Sequence, residues 1–94
     1  MFTITESEEA ALRELGARLR TYRLDRDDSQ AAFAARVGVS VPTYRKMEHG
    51  HASVPIGPWV RALRLVGRLD AVVDLLPPLL LSDATERQRA RRRR

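Results

Sequence analysis

The chain contains no cysteine. That excludes disulfide staples, thiolate nucleophiles and zinc fingers, so burial alone must hold a fold together. Aromatic side chains are scarce, at 5% of 94 residues, and the 44% apolar content is mostly aliphatic. No apolar run approaches the roughly 20 residues that a membrane-spanning helix needs. The N-terminal stretch MFTITESEEA is acidic and lacks the basic-then-apolar order of a signal peptide. The expectation is a cytoplasmic protein with no membrane partner. Catalytic groupings are lacking as well. His49 and His51 are the two histidines and have no third ligand beside them. There is no Ser/His/Asp set and no glycine-rich phosphate loop, so no enzyme activity, metal or cofactor is expected. A chain of 94 residues suits one domain, with marginal burial unless it pairs with itself.

Charge is present but unevenly spread. The formal net charge is +5 and the isoelectric point about 10.9. From Pro77 onward, six arginines against Asp83 and Glu86 give +4; the eleven basic and ten acidic groups before them give +1. The basic isoelectric point therefore describes the tail, and is a poor argument for nucleic-acid binding by the body.

The informative stretch is Gln30 to Met47, QAAFAARVGVSVPTYRKM. Its alanines favour helix, Ser29 is placed to cap a first helix, and Gly38 falls where that helix must stop. Ser40 caps a second helix, and Pro42 falls in its first turn, where a missing N–H breaks no bond. Phe33 and Val37 share one face of the first helix, Val39 fills the turn, and Tyr44 and Met47 share one face of the second. Ala34 lets the two helices cross closely. Val41, Pro42, Thr43, Arg45 and Lys46 are left pointing outward. A small inner residue, a glycine turn and a polar, basic outer face are what a unit reading the major groove requires.

With these residues in view, the run SQAAFAARVGVSVPTYRKMEHG resembles the helix-turn-helix of the lambda-repressor-like (XRE) family. The matching marks are Ser29-Gln30, Ala34, Gly38-Val39-Ser40 and Glu48-His49-Gly50. Two positions depart from that pattern. Asp27-Asp28 stands where a small residue and a leucine are usual, and Val41-Pro42 stands where many members carry polar base-reading side chains. The resemblance implies double-stranded DNA as the partner. It implies that Gln30 hydrogen-bonds a phosphate at the N-terminus of its helix, and that His51 and Ser53 lie in a loop that grips phosphate. Thymine methyls suit Val41, Pro42 and the Thr43 methyl, while Arg45 and Lys46 reach guanine or backbone, Lys46 being the expected base reader. The expected DNA-binding set is therefore Gln30, Ser40, Val41, Pro42, Thr43, Arg45, Lys46, His51 and Ser53. One such helix reads about half a turn of duplex, so the resemblance also implies a homodimer on an inverted repeat.

The rest of the chain supplies the scaffold. Phe2 and Ile4 alternate with threonines and suggest a short strand or an unpaired end. Thr5 and Glu8 form a capping box opening a helix to about Arg23, with Leu12, Leu15, Leu19 and Tyr22 as its inner stripe. Arg13, Arg18, Arg20 and Arg23 are assigned to its outer face. A fourth helix from about Ile56 carries Trp59, Leu63 and Val66, with Trp59 read as core. A fifth, about 69–76, ends at Pro77-Pro78. Its Leu69, Val72, Val73 and Leu76 exceed what a monomer must bury and suggest a dimer contact. The expectation is an all-α, five-helix lambda-repressor-like domain over residues 1–78, with a leucine run and a flexible basic tail over 79–94. The tail arginines, Arg87, Arg89, Arg91, Arg92, Arg93 and Arg94, suit a DNA arm, an acidic protein partner or a solubilising end.

Over residues 10–78 the chain is also similar to HipB-like antitoxins. That likeness implies an autorepressor that binds a HipA-like kinase toxin encoded beside it. A stand-alone phage-type or controller repressor, and a protein-interaction adaptor that does not bind DNA, are the alternatives.

Overall fold

In a computed structural model that describes residues 1–79, the chain forms five helices: α1 Glu6–Asp25, α2 Gln30–Val37, α3 Val41–Glu48, α4 Ile56–Leu65 and α5 Ala71–Asp74. The expectations for Leu80, Leu81 and the arginines from Arg87 to Arg94 lie outside the described residues.

The starts of α1, α2 and α3 each follow from a named side chain. The Thr5 hydroxyl accepts from the Glu8 N–H at 3.3 Å, while the Glu8 carboxylate accepts from the Thr5 N–H at 2.9 Å. Ser29 accepts from Ala32 N–H at 3.0 Å and Ser40 from Thr43 N–H at 3.2 Å. Gly38, at φ 88°, ends α2 in the left-handed region, where a β-carbon would be strained. Salt bridges Glu9–Arg13 and Glu14–Arg18 join successive turns of α1 on its exposed side, each worth a few tenths of a kcal/mol.

The core gathers Leu19 from α1, Phe33, Ala34 and Val37 from α2, Tyr44 and Met47 from α3, and Trp59 and Ala62 from α4. The Phe33 and Tyr44 rings meet tilted by 51° with centroids 5.4 Å apart, a geometry that adds about 0.5–1.5 kcal/mol beyond area burial. Val39, Val41, Val54, Leu65 and Val66 pack partly against this cluster. A second apolar feature lies on the other side of α1 and α4. Leu12, Leu15, Trp59, Leu63, Val72 and Leu75, with Phe2 and Ile4, line a groove of about 620 Å³.

Several expectations are corrected. No strand forms among the described residues; Phe2 is 75% exposed and the first five residues have no partner strand. The inward stripe of α1 is Gly16, Leu19 and Arg23, not Leu12, Leu15, Leu19 and Tyr22. Leu15 and Tyr22 are 40% and 44% exposed. The cause is backbone proximity. A β-carbon on Gly16 would sit 2.6 Å from the Met47 carbonyl oxygen and collide with that of Glu48. Only glycine lets α1 approach the end of α3 so closely, and the rotation this imposes carries Arg23 inward with it. Arg23 is therefore buried, not on the outer face. Val41, assigned to the outer face of α3, is half-buried. The fifth helix is a single turn, Ala71–Asp74, and stops short of Leu76, where the following Pro77 disfavours helical backbone.

Gly38 and Gly50 both have positive φ, but their surroundings differ. A β-carbon at Gly38 meets open space, whereas at Gly50 it meets the backbone of Leu12 and Arg13. Asparagine tolerates left-handed backbone. Gly38→Asn is expected to cost less than about 1 kcal/mol, and Gly50→Asn about 3 kcal/mol through overpacking. Urea unfolding midpoints of the two variants measure the difference, and equal shifts would contradict the close approach of α1.

Candidate nucleic-acid interface

The second helix of the helix-turn-helix has one face in the core and the other in solvent. Tyr44, Met47 and Glu48 are buried, while Pro42, Arg45, Lys46 and the following His49 are exposed. Eight residues make a rod about 12 Å long, and the major groove of B-DNA is about 12 Å wide. Val41 and Thr43 are half-buried at the near edge. The Ser40 hydroxyl is spent on the cap, accepting from Thr43 N–H and donating to the Thr43 hydroxyl at 3.0 Å. His51 and Ser53 are exposed in the loop before α4, where His51 also borders the apolar groove.

Beneath the exposed face runs a connected set of polar side chains. Arg23 of α1 binds Glu48 of α3 through two bonds, Nε to Oε2 at 2.6 Å and Nη2 to Oε1 at 3.2 Å. A third Arg23 donor, Nη1, reaches the Asp28 carbonyl at 2.8 Å. Both side chains are nearly sealed, at 7% and 2% exposure. The Glu48 Oε1 atom also accepts from Gln30 Nε2 at 3.0 Å, and the Gln30 Oε1 atom accepts from Arg45 Nε at 3.2 Å. Gln30, expected to face a phosphate, thus engages both ends of its amide with other side chains of the protein and keeps one amide hydrogen uncommitted. The structure brings Gln30 and Arg45 together and leaves Lys46 without an ion-pair partner among the described residues.

Burial pushes the Glu48 carboxyl up, but hydrogen bonds from Arg23 and Gln30 and the adjoining Tyr44 hydroxyl outweigh it. The net value lies below the ordinary carboxylate range. Hydrogen bonding to Glu48 raises Arg23, against burial. Desolvation drives the Tyr44 phenol far up, so it stays protonated. Its hydroxyl lies sealed beside the pair without a well-aligned hydrogen bond.

Sequence reasoning singled out Arg45, Lys46 and Gln30 but missed the Arg23–Glu48 pair. A signal existed: Glu48 falls on the inward register of Tyr44 and Met47, where an acid needs a buried cation. At the edge of the motif, Asp28 binds Arg36 at 2.8 Å, which accounts for an acid where the resemblance leads one to expect leucine. No cluster of three or more metal-ligating side chains occurs among the described residues, and no helix there is long and apolar enough to cross a membrane.

The family model described as a helix-turn-helix domain matches residues 14–76. The chain belongs to that family, and its architecture is the all-α, lambda-repressor-like one. Membership makes it a DNA-binding protein of the transcription-regulator type. Neither a curated protein nor a solved structure matches it.

Removing one member of the buried pair leaves the other uncompensated. Arg23→Met is expected to cost about 3–5 kcal/mol, and the double replacement Arg23→Met with Glu48→Leu to recover most of it. Acid should act the same way. Because the folded Glu48 value is depressed, its contribution is complete above the ordinary carboxylate value and drains away as pH falls through the folded one. Stability of the wild type should therefore decline below about pH 4 more steeply than that of Glu48→Gln, measured by urea unfolding across the range.

Proposed function

We propose that the chain is a sequence-specific transcriptional repressor that binds an operator as a homodimer and lays α3 in the major groove. The observation that carries this reading is the split of α3, with its apolar side in the core and Arg45 and Lys46 in solvent. Cations on such a rod supply phosphate neutralisation and guanine contacts, the two terms that set affinity and specificity. Gln30 and the free N–H groups of α2 would hold one phosphate, and His51 and Ser53 another. Ser40, Val41, Pro42 and Thr43 would border the bases at the start of the helix.

Homodimer formation is supported by the far end of the domain. Leu69, Val73 and Leu76 are 47%, 72% and 86% exposed, and Val72 lies against the apolar groove beside them. Two copies paired there would present two α3 rods to one face of a duplex, as an inverted repeat demands.

Within this reading the finer role is that of an antitoxin in a HipBA-like operon, repressing its own transcription and binding a HipA-like kinase. The similarity over residues 10–78 supports it, and the exposed apolar surface gives a protein partner something to bury. The domain would span residues 1–78, in the cytoplasm, with the tail arginines as an arm toward DNA or the kinase.

Replacing both Arg45 and Lys46 by alanine is expected to abolish selective binding to a duplex enriched from a random pool by the wild-type protein. Each cation lost should also lower the salt slope by about one unit. Unchanged binding in a mobility-shift titration would move the DNA contact off α3, and failure of the wild type to enrich any duplex would favour an adaptor that uses the same fold without DNA. Light scattering is expected to give a dimer mass, and Val73→Asp with Leu76→Asp a monomer that binds the palindromic duplex at least tenfold more weakly.

A further inference from the structure

The chain of hydrogen bonds from Arg23 to Arg45 has a direction, and the direction is fixed from the inside. Glu48 is a carboxylate and can only accept. The Gln30 amide must therefore turn its NH₂ end toward Glu48, at 3.0 Å. That choice leaves the Gln30 oxygen facing α3, where it accepts from Arg45 Nε at 3.2 Å. Arginine carries five N–H donors in a rigid fork. With the Nε donor engaged by Gln30, four remain on the two Nη nitrogens, at the tip of an exposed side chain. Gln30 is neutral, so the full charge of Arg45 is retained, unlike that of Arg36, which Asp28 neutralises.

We propose that Glu48 and Gln30 are positioning residues that lock Arg45 as the specificity-determining side chain, presented end-on to the O6 and N7 atoms of one guanine. The inference rests on the DNA-binding reading and reverses the order expected from the sequence, in which Lys46 is the base reader. Lys46 has no hydrogen bond to hold its long side chain among the described residues; it serves as a mobile charge on the phosphates. A bidentate contact needs two donors at fixed separation and direction, which a held guanidinium supplies and a free ammonium does not. Glu48 is itself held by Arg23 at 2.6 Å, so the orientation of a surface side chain is referred back to the core.

The test measures discrimination separately from affinity. A duplex enriched from a random pool by the wild-type protein, and variants of it with each guanine replaced, are titrated with wild type, Gln30→Ala, Arg45→Ala and Gln30→Ala/Arg45→Ala. Wild type should discriminate one guanine in each half-site, and Arg45→Ala should lose that preference. Gln30→Ala should lower the preference by about tenfold or more, while its salt slope is unchanged, because Gln30 is neutral and its loss removes no charge from the interface. The double variant should show no further loss of preference beyond Arg45→Ala. In the free full-length protein, NMR relaxation of the Arg45 Nε–H group should report order in wild type and added mobility in Gln30→Ala, whose Arg23–Glu48 pair is intact. Retained discrimination in Gln30→Ala, or a uniform loss over all duplexes in Arg45→Ala, would overturn the proposal while leaving DNA binding in place. Failure of the wild type to enrich any duplex would instead remove the DNA-binding reading, and the proposal with it.

Discussion

The close approach of α1 to the end of α3 is the constraint on which the rest depends. Gly16 lies against the carbonyls of Met47 and Glu48, and Gly50 against the backbone of Leu12 and Arg13. Helices of eight residues, such as α2 and α3, are too short to persist alone in water. They stand because Phe33, Ala34, Val37, Tyr44 and Met47 are buried together, and α1 closes that cluster with Leu19. The two glycines set how far α1 can come in. A larger residue at either would push it away, and both the Leu19 contact and the Arg23–Glu48 pair would open.

The ion pair beside that contact is an expensive way to join two helices. Desolvating two charges costs several kcal/mol per ion, and apolar residues of the same volume often hold as well. Its geometry suggests what is gained. A leucine at position 48 would pack equally well against many neighbours, whereas a carboxylate bound by two nitrogens of one guanidinium has a single orientation. Through the Asp28 carbonyl and the Gln30 amide, the same pair also ties the α1–α2 connection and the first residue of α2 to the end of α3. Three helices are thus fixed relative to one another by one buried carboxylate and the groups that converge on it.

Local features of the motif were legible in the sequence, and pairings across it were not. Thr5, Ser29 and Ser40 cap as their positions imply, and Gly38 and Gly50 take positive φ where the helices stop. Each of these is decided within three or four residues. The rotation of α1 is decided elsewhere. Leu12, Leu15, Leu19 and Tyr22 form a plausible apolar stripe, yet a backbone contact 31 residues away in sequence, from Gly16 to Met47, turns the helix so that Arg23 enters and Tyr22 leaves. Periodicity ranks side chains by apolarity and cannot register that a glycine is the point of closest approach. The same blindness hid the groove, since Leu12 and Leu15 look like core from within their own helix. It also overextended α5, where hydrophobic spacing continues to Leu76 but Pro77 constrains the backbone before it.

The distribution of charge follows from these contacts. The body carries almost no net charge, and four of its acids are paired within it: Glu9 and Glu14 along α1, Asp28 at the Arg36 side of the turn, Glu48 in the core. None of these four projects from the outer side of α3. A nearly neutral domain can therefore present a locally positive rod, because neutralisation happens within α1, at the edge of the turn and in the interior. For approach to a polyanion the local field of the contacting surface counts for more than the sum, since charges farther off than about 10 Å are largely screened at cellular ionic strength. Arg45 and Lys46 lie adjacent on the side of α3 that the core leaves uncovered, and what orients that side is the same glycine contact and buried pair that hold the helices together.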